Sequence, residues 1–176
     1  MLDGKRIYLR LLEKEDLKLR VDWINDEENS RTLMFDWPTS LAKTESWFNN
    51  TMFDKSKCNL TIVDKETDKA IGMTGLIDID YRHLRAQFYI TIGDKDFRGL
   101  KLPDEIIPLV LSYAFSELGL KRVFLHTLPN NDKARKIYER NGFISEGIMR
   151  RHFFSHGQYN DLHIHSILFE DWIKNQ

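Results

Sequence analysis

Apolar and polar residues alternate from Arg6 to Leu12 (RIYLRLL), the two-residue period of a half-buried strand. The next segment, EKEDLKLRVDWIND, changes to a helical period and carries acids in its first turn, where they suit the positive end of a helix. A second helix is predicted from WPTSLAKTESWFNNTMFD: Pro38, then Thr39 or Ser40 as N-cap, then an apolar face of Leu41, Trp47, Phe48 and Met52. The middle of the chain returns to strands. CNLTIVD, AIGMTGLIDID and AQFYITIG are parted by the polar turns KETDK and YRHLR, which reads as an antiparallel meander. A long helix follows, with Ile106, Ile107, Val110, Leu111, Ala114, Phe115 and Leu118 on one face and its end near Gly119. KRVFLHTLP is a strand. NNDKARKIYERNGF is a short helix capped by Asn130 or Asn131 and stopped by Gly142. FISEGIMRRHFFSH and YNDLHIHSILF pair around HGQ. The meander feeding a β-α-β crossover predicts an α/β (α+β) fold. Its central sheet is mixed and mostly antiparallel, of about six or seven strands flanked by about four helices, in one domain over residues 1–176.

Composition adds exclusions. The chain has 176 residues, 41% hydrophobic and 30% charged, enough for one sizeable core. A formal charge of -1 supplies no general basic field for nucleic acid. The single cysteine, Cys58, cannot form an internal disulfide. Charges scattered through MLDGKRIYLRLLEKED argue against a signal peptide, and the apolar runs are too short to span a bilayer. A cytoplasmic, soluble protein without membrane contact is the expectation.

One stretch between a strand and the long helix, DFRGLKLPDE (Asp96 to Glu105), occupies the position where a chain cradles phosphate on free amides and a helix N-terminus. Such a loop calls for glycines, and only Gly99 is present. Lys101 adds charge but has a Cβ that disfavours positive φ, and Pro103 suits a helix start but removes an N–H donor. Asp104 at the N-cap would compete for the same amides, and Pro108 moves the expected helix start toward Glu105 or bends the helix.

AQFYITIGDKDFRG, the helix after it, RVFLHTLPNNDKARKIYERNGF and EGIMRRHFFSHGQYNDLHIHSILFEDW follow one another in an order that resembles the GCN5-related N-acetyltransferases (GNAT). In pattern the chain is similar to their bacterial spermidine and ribosomal-protein branches. The resemblance is most specific from Ala86 to Trp172. It implies a GNAT fold, acetyl-CoA as co-substrate, no metal, and often a homodimer. Its strongest piece is the run Asn131, Ala134, Tyr138, Glu139, Gly142, Phe143. There Asn131, Lys133, Ala134 and Lys136 would lie along acetyl-CoA, and Tyr138 would protonate the departing thiolate. The resemblance also implies that Thr91, Ile92 and Gly93 hold the acetyl and pantetheine units at a strand bulge, with Ile92 the oxyanion donor. Arg98, Gly99, Leu100, Lys101, Leu102, Pro103 and Asp104 would take the pyrophosphate, with Lys101 and Pro103 departing from the usual small residues. Either this version is weakened, or it relies on Arg98, Lys101 and Lys95 for charge.

Acetyl transfer to an amine has three demands. The amine must be neutral, yet with a pKa of about 10.4 only a few in ten thousand molecules are neutral at pH 7, so a base must take the proton. The thioester oxygen needs a fixed donor as it gathers charge. The thiolate needs an acid, and tyrosine is protonated at neutral pH. Gln87 stands where relatives carry an acid and cannot be the base. Asp78, Asp80, His83 or ordered water remain as substitutes. Asp36, Trp37, Gln87 and Asp161 are candidate acceptor contacts. The acidic run NDEEN is either a solvated helix end or an attractor of polyamine. His163 and His165 share a strand face but lack the further ligands of a metal site. MRRHFF alternates, with charge toward water and aromatics toward the core. The expected acceptor is a polyamine, an amino sugar, another small amine or a protein N-terminus. The alternative is a non-catalytic protein of the same fold that binds CoA or a partner protein.

Overall fold

The computed structural model describes residues 1–31, 34, 37–155 and 157–174. One eight-stranded sheet runs through them in the order β1-β2-β3-β4-β5-β6-β8-β7. Its strands are β1 (Leu2–Asp3), β2 (Ile7–Leu11), β3 (Cys58–Asp64), β4 (Ala70–Asp80), β5 (Arg85–Ile92), β6 (Arg122–Thr127), β7 (Ile144–Ser155) and β8 (Gln158–Leu168). The helices are α1 (Leu17–Asn25), α2 (Glu27–Ser30), α3 (Leu41–Thr51), α4 (Pro103–Ser112), α5 (Asp132–Arg140) and α6 (Phe169–Lys174). The extra strand is the two-residue β1, and the extra helices are the short α2 and α6. All three are too brief to show a period.

Every strand pair is antiparallel except β5–β6, which is parallel and joined only at Arg85–Arg122, Ala86–Val123 and Gln87–Phe124. Beyond those rungs the two strands part. Residues paired across a ladder share a face. Gln87 therefore shares a face with Phe124 and, two residues on, with His126, while Ala86, Phe88, Val123 and Leu125 face the other way. The second face packs with α4 and α5 into the main core, where Phe88, Ile106, Ile107, Val110 and Leu125 are buried. The first face is covered by α1 and α3.

Three local expectations change. The long helix starts at Pro103, ahead of Pro108, because Leu102 takes the N-cap position and proline suits N1. Pro108 is absorbed inside the helix. Downstream the helix widens into a π-turn over Tyr113–Glu117, where the Leu118 amide donates to the Tyr113 carbonyl at 3.1 Å. Along α3 the inward positions are Thr44, Trp47, Phe48 and Thr51, whereas Leu41 and Met52 are exposed. On β7 a register shift between Met149 and Phe153, with Arg151 at φ 51°, breaks the alternation and leaves Phe154 61% exposed.

Candidate active site

The parting of β5 and β6 opens a cleft of about 370 Å³. The Gly93 amide donates to Ile71 across the β4–β5 ladder at 2.9 Å. Antiparallel pairs alternate, so Thr91 and Tyr89 also bond toward β4, and the amides of Ile90 and Ile92 point toward the gap left by β6. Among the described residues no β6 partner stands opposite either one. The Asp94 amide donates to the same Ile71 carbonyl at 3.0 Å, so two residues at the end of β5 face one on β4, the pattern of a bulge at Gly93. A second irregularity, a register shift, lies in β4 between Ile77 and Asp80, with Asp78 at φ 50°. Gly93 is also a close-approach site, since a Cβ there would lie 2.2 Å from the Trp23 ring of α1.

Tyr138 closes one side of the cleft from α5. It is 9% exposed, edge-on to Phe88 at 6.4 Å between ring centres and to Phe143 at 5.7 Å. Burial pushes its phenol pKa well up, so it stays protonated at neutral pH. Its hydroxyl has no hydrogen-bond partner among the described residues. The Asn131 side chain caps α5, accepting from the Ala134 amide at 3.1 Å. Asn131, Lys133, Ala134 and Ile137 line the same wall as Tyr138.

Next to this cleft lies a recess of about 360 Å³ lined by Gly99, Lys101, Pro103, Lys133, Lys136 and Arg140, among others. The loop keeps the glycine-type backbone that its sequence argued against. Gly99 has φ 82° and Lys101, despite its Cβ, φ 57°. The amides of Gly99, Leu100, Lys101 and Leu102 have no acceptor among the described residues, while those of Asp104 and Glu105 turn back to Lys101 and Leu102. Lys101, Lys133 and Lys136 have no ion-pair partner among the described residues. Leu102 is buried in the core. Asp104 does not compete at the N-cap: its carboxylate receives Arg140 at 2.6 and 2.7 Å and Asn141 at 2.9 Å, tying α4 to α5. That hydrogen bonding holds its pKa below the ordinary carboxylate value.

Arg98 and Lys95 are already engaged. Arg98 donates to Glu28 at 2.6 Å, to Asp26 at 3.4 Å and to the carbonyls of Ile92 and Gly93, and Lys95 pairs with Asp26 at 2.8 Å. The charge free to meet an anion in the loop is therefore that of Lys101. Of the NDEEN acids, Glu27 stays on the solvated side and pairs with Arg31, while Asp26 and Glu28 serve as partners of the loop. This pairing spans about seventy residues and had no local signal.

On the acceptor side Gln87 lines the cleft. A neighbouring cavity of about 320 Å³ is lined by Arg20, Thr39, Trp47, Asn59, Asp78 and Tyr89, among others. Arg20 stacks 4.1 Å from the Trp47 ring centre, and the Tyr89 hydroxyl donates to Asn59 at 2.8 Å. Trp37 is half-exposed outside both cavities. Asp36 lies outside the described residues. Asp161 accepts the Arg151 amide at 2.7 Å, bracing the β7 irregularity, and lines neither cavity. Of the candidate bases, Asp80 accepts the Arg82 and His83 amides at 3.1 and 3.0 Å, and His83 is exposed on that turn. His126 and Thr127 of β6 line the cleft and were missed. Their only signal is parity, since Val123 and Leu125 are core positions and His126 must turn the other way. No group of acids, histidines and cysteines suited to a metal occurs among the described residues.

The free amides, the lone cations and a helix N-terminus suit a pyrophosphate, and the tapering gap beyond it suits a narrow acyl-bearing arm. Residues 6–144 match the acetyltransferase (GNAT) domain family. A spermidine N(1)-acetyltransferase of Vibrio cholerae is 31% identical over 160 residues, covering 90% of this chain and 91% of that one. A putative ribosomal N-acetyltransferase of Bacillus subtilis is 26% identical, covering 96% and 94%. The crystal structure of spermidine N-acetyltransferase from Vibrio cholerae in complex with CoA and spermine superposes with a TM-score of 0.90 at 28% identity, covering 96% of this chain and 98% of that one. The chain belongs to the GNAT acetyltransferases and is an acetyl-CoA-dependent N-acetyltransferase that acts on amines.

Proposed function

We propose that this enzyme, as a single domain over residues 1–176, acetylates a primary amine of a small acceptor by direct attack. The acceptor enters from the α1–α3 face, and acetyl-CoA is held from the α4–α5 face. The observation that carries the assignment is the early parting of β5 and β6, which leaves the Ile90 and Ile92 amides unspent in the cleft that Tyr138 also lines.

In this reading the Ile92 amide receives the thioester oxygen as charge develops on it. Such a donor is already oriented, so no reorganisation is needed during the reaction. Tyr138 gives its proton to the departing sulfur. The amides of Gly99 to Leu102 and the lysines at positions 101, 133 and 136 receive the pyrophosphate. Arg98 acts as a fastening for the loop. The acceptor class to test first is a polyamine, supported by the relatives named for spermidine and by the neighbour bound to spermine. A protein N-terminus and a homodimer are kept as further readings from the family. The unpaired Cys58 is compatible with a cytoplasmic setting.

The test is thermal unfolding with and without acetyl-CoA, followed by thiol release against a panel of spermidine, spermine, amino sugars and peptides with free N-termini. A ligand that binds only the native state must raise its stability. A rise in Tm with turnover on at least one amine is the expected result. No rise at millimolar acetyl-CoA overturns the reading, and a rise with no turnover on any amine favours a CoA-binding protein without catalysis.

A further inference from the structure

The cleft holds an acid in Tyr138, and the sequence offered no base. We propose that His126 accepts the proton of the attacking amine, directly or through one water, from the face of the sheet opposite Tyr138. This rests on the acetyl-transfer reading above and goes on to name the group that activates the acceptor.

The position of His126 follows from the topology. The last rung joining β5 to β6 is Gln87–Phe124, and His126 is two residues beyond Phe124 on the same face. It therefore stands where the gap begins, level with Tyr89 and next to Gln87. Its ring is half-buried and lines the cleft. On the opposite face Tyr138 packs against Phe88, the residue after Gln87. Acid and base thus flank the opening from its two sides. A sulfur leaving toward α5 and an amine arriving from α1 and α3 need this arrangement.

The other titratable side chains around the cleft have other work. Glu28 is held by Arg98. The Tyr89 hydroxyl is bonded to Asn59, and burial raises its pKa. Gln87 cannot accept a proton onto a charge-bearing group. Asp78 lines the neighbouring cavity and approaches His126 from β4. The charged and titratable groups acting on the imidazole are Asp78 from β4, His152 from β7 and, from the other face of the sheet, His165 from β8. The His152 ring centre lies 6.1 Å away. Burial, with the two histidines adding to it and Asp78 opposing it, lowers the His126 pKa from its ordinary 6.5. The ring is then neutral at pH 7 and ready to accept.

The proton count closes. The acceptor arrives as an ammonium with three N–H bonds and leaves as an amide with one. His126 takes the first proton and passes it to solvent. The neutral nitrogen attacks the thioester carbon, forming C–N. As C–S breaks, Tyr138 protonates the thiolate, and the second nitrogen proton makes good that loss. One proton is released per turnover.

The test is steady-state kinetics from pH 5 to 9 on the wild type, His126→Gln and His126→Ala, with the acetyl-CoA-induced rise in Tm measured for each. Removing a general base costs on the order of 100-fold in turnover. The expected result is such a fall in kcat/KM for the amine, with the Tm rise kept. The wild type should show an acid limb below about pH 6.5, the ordinary histidine value, that His126→Gln lacks. Added imidazole should restore part of the His126→Ala rate, which a merely structural role would not produce. A His126→Gln enzyme within threefold of wild type, or one that keeps the acid limb, overturns the proposal. A wild type that turns over no amine overturns the acetyl-transfer reading instead, and the proposal with it.

Discussion

The two faces of the parted sheet are built from different material. On the α4–α5 side the site is mostly backbone: the amides of Ile90 and Ile92, those of Gly99 to Leu102, and the start of α4. On the α1–α3 side it is mostly side chains: Arg20 over Trp47, Tyr89 on Asn59, Gln87 and His126. Backbone donors survive changes of sequence as long as the chain path survives. Lys101 illustrates this, holding φ 57° where a glycine would be at ease. A surface made of side chains changes with every substitution. The first face can therefore serve one invariant cosubstrate while the second is free to diverge toward different amines.

The largest effect that would sharpen this division is at Tyr138. Tyr138→Phe should lower turnover by about 100-fold, the scale of a lost general acid, with acetyl-CoA affinity unchanged by isothermal titration. Unchanged turnover would mean that another group protonates the thiolate. Gly93→Ala comes next, because it strikes the seam between the faces. The added methyl collides with Trp23, and overpacking of this kind costs about 1–3 kcal/mol, read as a lower midpoint in urea. An unchanged midpoint would show that α1 is not pressed against β5. Trp47→Ala should act on one face only. Losing the stacked ring removes about 1 kcal/mol of ordering at Arg20, so the acceptor KM rises several-fold while acetyl-CoA affinity stays put. Equal losses for both substrates would break the division. The smallest effect is expected from Lys101→Gly. It relaxes a left-handed backbone and deletes one charge, so acetyl-CoA affinity should fall only a few-fold, and the loss should fade as salt is raised.

Sequence patterns revealed elements whose residues act locally. The meander, the Asn131-to-Phe143 helix and the Ser40 cap all depend on neighbours within a few positions, and their periods are clean. What they could not reveal depended on distant partners. At Gly93 the sequence suggests a bulge but says nothing of Trp23, which packs against it. Arg98 looks like a phosphate ligand until Asp26 and Glu28 arrive. Asp104 looks like a cap until Arg140 claims it. His126 sits in LHT, a string with no motif, and acquires meaning only because β5 and β6 separate next to it. Asp161 drew notice from its hairpin, yet it serves the bend at Arg151.

The Arg98 clamp has a thermodynamic consequence. Its side chain stands in the loop that follows β5, yet it is gripped by Asp26 and Glu28 at the start of α2. Were an arriving amine to displace α2, these ion pairs would pass the displacement to Arg98. By whatever factor the amine then alters the hold on acetyl-CoA, acetyl-CoA must alter the hold on the amine by the same factor. Through one ion-pair cluster the two substrates would then be answerable to each other.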